Sequence, residues 1–354
     1  MSGDPIRVAA GRWRVFLELA GELGSSAWSA RDFPNRVQRV LASRRQLGSR
    51  DRRVQRELMF ARCRAEPWAS RADAARPGSG LLLAVLLSDC ELALAQAGGL
   101  GHDFVTRFRK ADWPARIALL REQFPPGDFC SEDLAPAWFR EECAEWREVV
   151  SPDLVWRRPP VWLRIRRGQE RTVLEDLARA GAACEPSGVL DGAWRTDARI
   201  DLSRTTSFAR GLLEVQDLGS QMLLAIAAPQ PGTRWLDACA GAGGKTLQLA
   251  DLVGPTGAID AEDPRAAALG ELRTRASRAG IHIASMRVVN ESPSEWAPAR
   301  EYDGVLVDAP CSGAGTWRRH PHLRLSTTAE DVKAAARTQL TLLSSRSRAV
   351  RKGG

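Results

Sequence analysis

Lysine is nearly missing from this chain. Four of its 51 basic residues are lysine (Lys110, Lys245, Lys333 and Lys352), so 47 are arginine, set against 43 acidic residues for a net charge of +8. Arginine's planar fork suits paired contacts to phosphate, and a basic nucleic-acid-binding surface is one reading of the excess. Solvated faces are the other. No CxxC pair occurs among the seven cysteines, at 63, 90, 130, 143, 184, 239 and 311. That argues against a zinc ribbon, and the odd count argues against a closed disulfide framework. A reduced, cytoplasmic setting is therefore expected. No apolar signal core opens the chain. The longest aliphatic run, Leu81–Leu87, is far too short to span a bilayer, so a soluble protein without a membrane partner is expected. No metal site is expected either: His320 and His322 lie two apart in what reads as a solvated loop, with no third ligand. There is no internal repeat.

What is present is an ordinary globular balance, 44% hydrophobic and 27% charged, over 354 residues, enough for two or three domains. From about Arg7 to Phe124 apolar residues recur at helical spacing. Within that stretch Arg44–Arg53 carries five arginines in ten residues, and Ser49 is read as the N-cap of a helix through Val54, Leu58 and Phe60. Pro125-Pro126-Gly127 marks a boundary. Trp138–Val150 reads as one helix. Val161–Arg166 alternates like a strand, with Trp162 and Arg164 as weaker candidates for RNA contact, and a helix over Arg171–Ala180 stops at Gly181. From Phe208 onward strands alternate with helices: Arg234–Ala238, Ala258–Ala261, Ser285–Val289 and Gly304–Asp308 are the strand candidates, which implies a parallel, doubly wound sheet.

Two loops in that last region carry chemistry. In Leu236–Thr246 a strand ends, small residues make a tight turn and a helix begins. Glycines there let a ligand approach the backbone, and helix-start amides hold its polar groups. Gly244-Lys245-Thr246 is the tail of a P-loop, and Val305–Asp308 mimics a Walker B strand. However, the first P-loop glycine falls on Cys239, which breaks the phosphate cradle. A methyltransferase loop also explains Asp263, twenty residues after Gly243, as a carboxylate for ribose hydroxyls. The second loop, Asp308-Ala309-Pro310-Cys311-Ser312-Gly313, follows directly on a strand. Cytosine C5 is a poor nucleophile until a thiolate adds to C6, which gives a cysteine at this position a purpose.

Together these residues resemble the RsmB/Sun (Nop-type) family of RNA 5-methylcytosine methyltransferases. Leu236–Thr246 is similar to the family's LDxCAAPGGKT loop and Asp308–Gly313 to its DAPCSG. Gly315–Pro321 resembles its G-x-x-R-R-x-P continuation, and Val215–Gln221 its VQDxxSQ segment. Leu47–Arg53 resembles the NusB-like helical domain. The resemblance implies a Rossmann-like class I methyltransferase domain, an α/β fold, over residues 208–354. Before it come an all-α NusB-like RNA-binding domain (1–130) and a small α/β, RRM-like module (136–207). It also implies S-adenosylmethionine as cofactor, held by Asp237, Cys239, Ala240, Gly241, Ala242, Gly243, Gly244, Lys245, Asp263, Asn290 and Asp308. Cys311, Asp308 and Pro310 would form the reacting end. Arg50, Arg52, Arg53, Arg318 and Arg319 would contact RNA, most readily ribosomal. Asn290 replaces the family's usual Asp, and Gly241-Ala242 replaces its Ala-Pro.

Family members carry a second cysteine, the nucleophile, in a Thr-Cys-Ser motif on the next strand, while the Pro-Cys cysteine assists product release. Here a helix over Asp331–Leu343 leads to Arg351–Gly354, which resembles the family's KPGG turn, and the sequence stops. A truncated or split product is therefore the expectation, its Val305–Asp308 strand at a sheet edge and a separately encoded C-terminal fragment as partner. The alternative is an RNA- and S-adenosylmethionine-binding protein without activity. A P-loop ATPase is the more distant third.

Overall fold

The computed structural model describes residues 5–88, 92–125, 127–149, 155–156, 159–196, 200–290, 292 and 295–353. Cys90, Pro126, Val150 and Gly354 lie outside the described residues. The chain forms two units: Met1–Pro159 with Ser312–Lys333, and Pro160–Cys311 with Ala334–Gly354.

The first unit is helical, as the periodicity predicts. Its helices are α1 (Pro5–Leu23), α2 (Phe33–Ser43), α3 (Ser49–Arg64), α4 (Trp68–Ala75), α5 (Ser79–Leu87), α6 (Leu92–Ala97), α7 (His102–Lys110), α8 (Trp113–Gln123), α9 (Ala137–Glu142) and α10 (Trp146–Val149). The aliphatic run at Leu81–Leu87 becomes α5, apolar all round because it sits inside the bundle. Phe16, Leu19, Phe33, Leu58, Trp68 and Leu83 form the dry centre of this unit. The predicted helix over Trp138–Val150 is instead two short ones, interrupted at Cys143. Helix α3 starts one residue earlier than a Ser49 cap requires. Gly48 is the N-cap, its carbonyl accepting from the Arg52 amide at 2.9 Å.

The segment that follows the Pro-Cys motif belongs to this helical unit. Trp317 is buried against Trp138 and Phe139, with ring centroids 6.0 and 4.9 Å away. The residues predicted to be a solvated histidine loop lead into α16 (Pro321–Ser326, numbered after the helices given below). His322 is 4% exposed and packs on Phe33, and burial lowers its pKa to about 4. Arg324, 2% exposed, donates to the carbonyls of Leu134, Arg64 and Glu66 at 3.0, 2.8 and 2.6 Å. A guanidinium offers five donors in a fixed fork, so one side chain ties together two stretches of backbone, Arg64–Glu66 and Leu134.

The second unit contains two sheets. In the smaller one the strands run in the order β2 (Glu185–Pro186), β3 (Ala193–Thr196), β1 (Val161–Ile165), β4 (Leu213–Val215), all antiparallel. Helix α11 (Glu170–Arg179) packs Val173 and Leu177 onto Leu163, Ile165 and Leu213. The sheet takes β4 from beyond residue 207, because Leu163 pairs with Val215 and Ile165 with Leu213. Arg164 points to the opposite face and is buried there, bonded to Gln216 at 2.9 Å and ion-paired with Asp251. Its role is therefore structural rather than contact with RNA.

The larger sheet is parallel in the order β7 (Ser285–Val288), β6 (Ala258–Asp263), β5 (Arg234–Asp237), β8 (Gly304–Leu306). Short helix α12 (Thr206–Ala209) and α13 (Leu218–Ala227) precede it, α14 (Gly244–Val253) joins β5 to β6, and α15 (Ala266–Ala279) joins β6 to β7. Helix α17 (Ala329–Arg346) follows α16. Among the described residues β8 is an edge of this sheet. Just before it Tyr302 bridges Val350 in parallel, its amide donating to Ala349 at 2.8 Å.

Replacing Arg324 with Met leaves three buried carbonyls without their charged donor, each such bond being worth about 1.5–3 kcal/mol. Urea unfolding is expected to show a loss of at least about 3 kcal/mol, seen as a lower midpoint at unchanged slope.

Candidate cofactor and cysteine site

The order of the parallel sheet decides where a ligand goes. From β5 the chain winds outward through β6 to β7, then returns to place β8 on the other side of β5. Such a reversal opens a crevice at the carboxyl ends of the two strands that flank it. The loop after β5 begins at Asp237, the loop after β8 at Val307, and the two strands are in register at Asp237 and Leu306.

Asp237 organises the first loop. It is 1% exposed, and its carboxylate accepts from the Thr246 hydroxyl at 2.7 Å and from the Cys239 amide at 3.3 Å. Strand end and helix start are thereby tied together across the turn. Burial raises the Asp237 pKa to about 6, with the Thr246 and Cys239 bonds pulling the other way. Gly243, the N-cap of α14, has φ +88°, and a Cβ there would lie 2.2 Å from Leu272 Cδ1. Both the conformation and the space demand glycine. Gly241 donates its amide to Asp263 Oδ2 at 2.8 Å, and Ala240 to the Glu262 carbonyl at 2.9 Å. The loop is thus laced to the end of β6, where Asp263 is 2% exposed. Burial opposes ionisation of Asp263, but the Arg265 guanidinium and the Arg265 and Gly241 amides outweigh it, and its pKa is lowered.

On the β8 side Lys245 Nζ meets Asp308 Oδ2 at 2.5 Å and Ser220 Oγ at 3.5 Å. Asp308 is about half exposed, and Cys311, three residues on, is exposed. The Pro310 carbonyl accepts from Gln339 of α17 at 2.9 Å. Cys239, in the other loop, differs: burial first, then the carboxylates of Asp237 and Asp263, push its thiol up to about 12. Asn290 is exposed, two residues past β7.

Asp237–Lys245, Asp263 and Asp308–Cys311 therefore gather at the carboxyl ends of neighbouring strands in one unit. The five arginines read as RNA contacts lie in the other. Arg50 and Arg53 are exposed on α3. Arg52 donates to the carbonyls of Leu47 at 2.9 Å and Arg44 at 3.2 Å. Arg318 and Arg319 are half-buried, and the Arg318 carbonyl accepts from Arg64. The sequence reading missed two features. Arg265 holds Asp263, and its position two residues after that carboxylate was the available signal. Gln216, Gln248 and Gln221 close a buried ring of hydrogen bonds at 2.6–2.8 Å, which is what the VQDxxSQ segment does here.

A parallel sheet with this switch point, a glycine loop after its first strand and a helical region ahead of it define a Rossmann-like methyltransferase architecture. The solved structure of PH0851 superposes on the whole of this chain and 85% of its own, with TM-score 0.67 at 20% identity. NSun6 from Pyrococcus horikoshii covers 62% of this chain and 81% of its own, with TM-score 0.50 at 16% identity. Residues 224–354 match the family described as 16S rRNA methyltransferase RsmB/F. Ribosomal RNA small subunit methyltransferase B of Xylella fastidiosa (strain Temecula1) is 32% identical over 262 residues, 70% of this chain and 59% of that protein. The Vibrio cholerae protein of the same name is 28% identical over 287 residues, 78% of this chain and 58% of that one. Over residues 224–354 the chain belongs to the RsmB/F methyltransferase family. It spans about three fifths of the length of the first curated relatives it matches.

Asp237 gives a pH test. Its folded pKa, about 6, lies above the ordinary carboxylate value, so the folded state holds a proton that the unfolded state releases. The stability it confers is greatest below the unfolded value of about 4 and falls as pH rises toward 6. Melting temperatures of wild type and Asp237→Asn, compared from pH 4 to 7, should show the variant gaining on wild type up to about pH 6 and then running parallel. A constant difference refutes the assignment.

Proposed function

We propose that the chain transfers a methyl group from S-adenosylmethionine to C5 of a cytidine in RNA, small-subunit ribosomal RNA being the substrate its relatives suggest. The observation that carries this is the gathering of the Asp237–Lys245 loop, Asp263 and Asp308–Cys311 at adjacent strand ends. The residues fit the cofactor. Gly243 gives the loop its positive-φ turn, the Asp263 carboxylate has the chemistry for ribose hydroxyls, and Asn290 follows β7 where it can accept from an adenine amino group. S-adenosylmethionine, when bound, supplies an electrophilic methyl group.

The protein's own groups do the rest. In the proposed step Cys311 takes the attacking role that the family gives to its Thr-Cys-Ser cysteine: its sulfur adds to C6 of the base, which makes C5 nucleophilic, and after methylation C5 loses its proton and the S–C6 bond breaks. Asp308, steadied by Lys245, is an acceptor beside that base, and Pro310 sets the turn. Arg50, Arg52 and Arg53, in a NusB-like domain over residues 1–130, are proposed phosphate contacts, with Arg318 and Arg319 outside it. A small module over 136–207 and the methyltransferase domain over 208–354 complete the proposed division, in a cytoplasmic protein.

The second reading is a protein that binds RNA and cofactor without chemistry. Tritiated methyl transfer to 16S ribosomal RNA separates the two. Incorporation at cytidine C5 is expected, falling at least about 100-fold in Cys311→Ser with cofactor affinity unchanged. Cofactor binding with no incorporation by wild type would leave the binding-only reading.

A further inference from the structure

The carboxylate that the proposed reading gives to ribose is already full. Asp263 Oδ1 accepts from the Arg265 amide and Arg265 Nε, both at 2.9 Å. Oδ2 accepts from the Gly241 amide at 2.8 Å and Arg265 Nη2 at 3.0 Å. A carboxylate has about four acceptor sites, and all are taken. Two of the donors are backbone amides fixed by the loop and by the start of α15. The other two belong to one guanidinium whose side chain is 69% exposed, so they alone are free to leave. The same guanidinium lies over the glycine loop, with Nη2 3.5 Å from where a Cβ on Gly241 would stand. It therefore covers the acceptor that a ribose diol would use.

We propose that Arg265 is a built-in competitor for the cofactor's ribose diol, occupying Asp263 in the free protein and swinging into solvent when the diol binds. This rests on the reading of Asp263 as the ribose carboxylate. Apparent affinity is the intrinsic affinity scaled by the fraction of molecules with Arg265 displaced. An ion pair with one exposed partner holds its closed form only modestly, so the competition tunes affinity rather than abolishing it. Arginine in its closed position also keeps a buried carboxylate ionised and paired, which a bare Asp263 would not be.

The test is calorimetry with S-adenosylhomocysteine and with its 2′,3′-dideoxy analogue on wild type, Arg265→Ala and Asp263→Ala, each first shown folded by circular dichroism. Arg265→Ala is expected to bind S-adenosylhomocysteine about three- to tenfold tighter, while its affinity for the dideoxy analogue stays at the wild-type value. Unchanged or weaker S-adenosylhomocysteine binding in Arg265→Ala, with Asp263→Ala still impaired, overturns the competitor and spares the ribose reading. Equal gains for both ligands also overturn it, since the effect would then be independent of the diol. If Asp263→Ala binds as wild type does, the ribose reading fails and the inference with it.

Discussion

One buried hydrogen bond sets the geometry of the α/β unit. The Thr246 hydroxyl gives its proton to Asp237 across a turn of eight intervening residues, and both side chains are sealed from solvent. It ties the end of β5 to the start of α14 directly, so the small residues between them are held at both ends. With it, the Cys239–Gly243 backbone is drawn into a tight loop whose amides at Ala240 and Gly241 face the end of β6. The arrangement costs free energy, because a carboxylate is kept out of water and its pKa rises to about 6. Such a cost is tolerated where a ligand must find backbone already in place.

The parallel strands and both loops were legible in the sequence because they depend on local features. Short apolar runs bounded by glycine or acidic residues mark strands that are buried on both faces, and Gly243 can be nothing else once φ is positive and Leu272 is against it. The arginines were not legible. Arg164 looked available to RNA but is bonded inside its own unit, and nothing in the sequence singled out Arg324, which is buried. Arg324 reaches carbonyls 190 and 260 positions away in sequence, and no periodicity reports a partner at that distance. His322 was misread for the same reason: Phe33, the ring that buries it, comes from the far end of the chain.

Arginine's internal duties change what the net charge means. A chain with 47 arginines and four lysines looks like a phosphate-binding surface, yet many of its guanidiniums tie backbone segments together or neutralise buried carboxylates, as Arg275 and Arg278 do for Glu214. Lysine would do this poorly, since its single ammonium cannot serve two or three acceptors in a plane. The lysine at position 245 is the informative exception. There a compact point charge is wanted beside Asp308, with no second backbone acceptor to satisfy.

The two cysteines of the α/β unit nearest the strand ends show how environment divides roles between identical side chains. Attack on a pyrimidine requires thiolate, and a thiol pushed to about 12 offers almost none at neutral pH. Cys239 is in that position first because it is partly buried and then because the carboxylates that shape the loop, Asp237 and Asp263, lie near it. Cys311 lies beyond the end of β8 in the open, and the nearest acid in sequence, Asp308, is countered by Lys245. The same charges that make a binding loop on one side of the switch point silence the cysteine within it. Any thiolate chemistry at this site is left to the residue after Pro310.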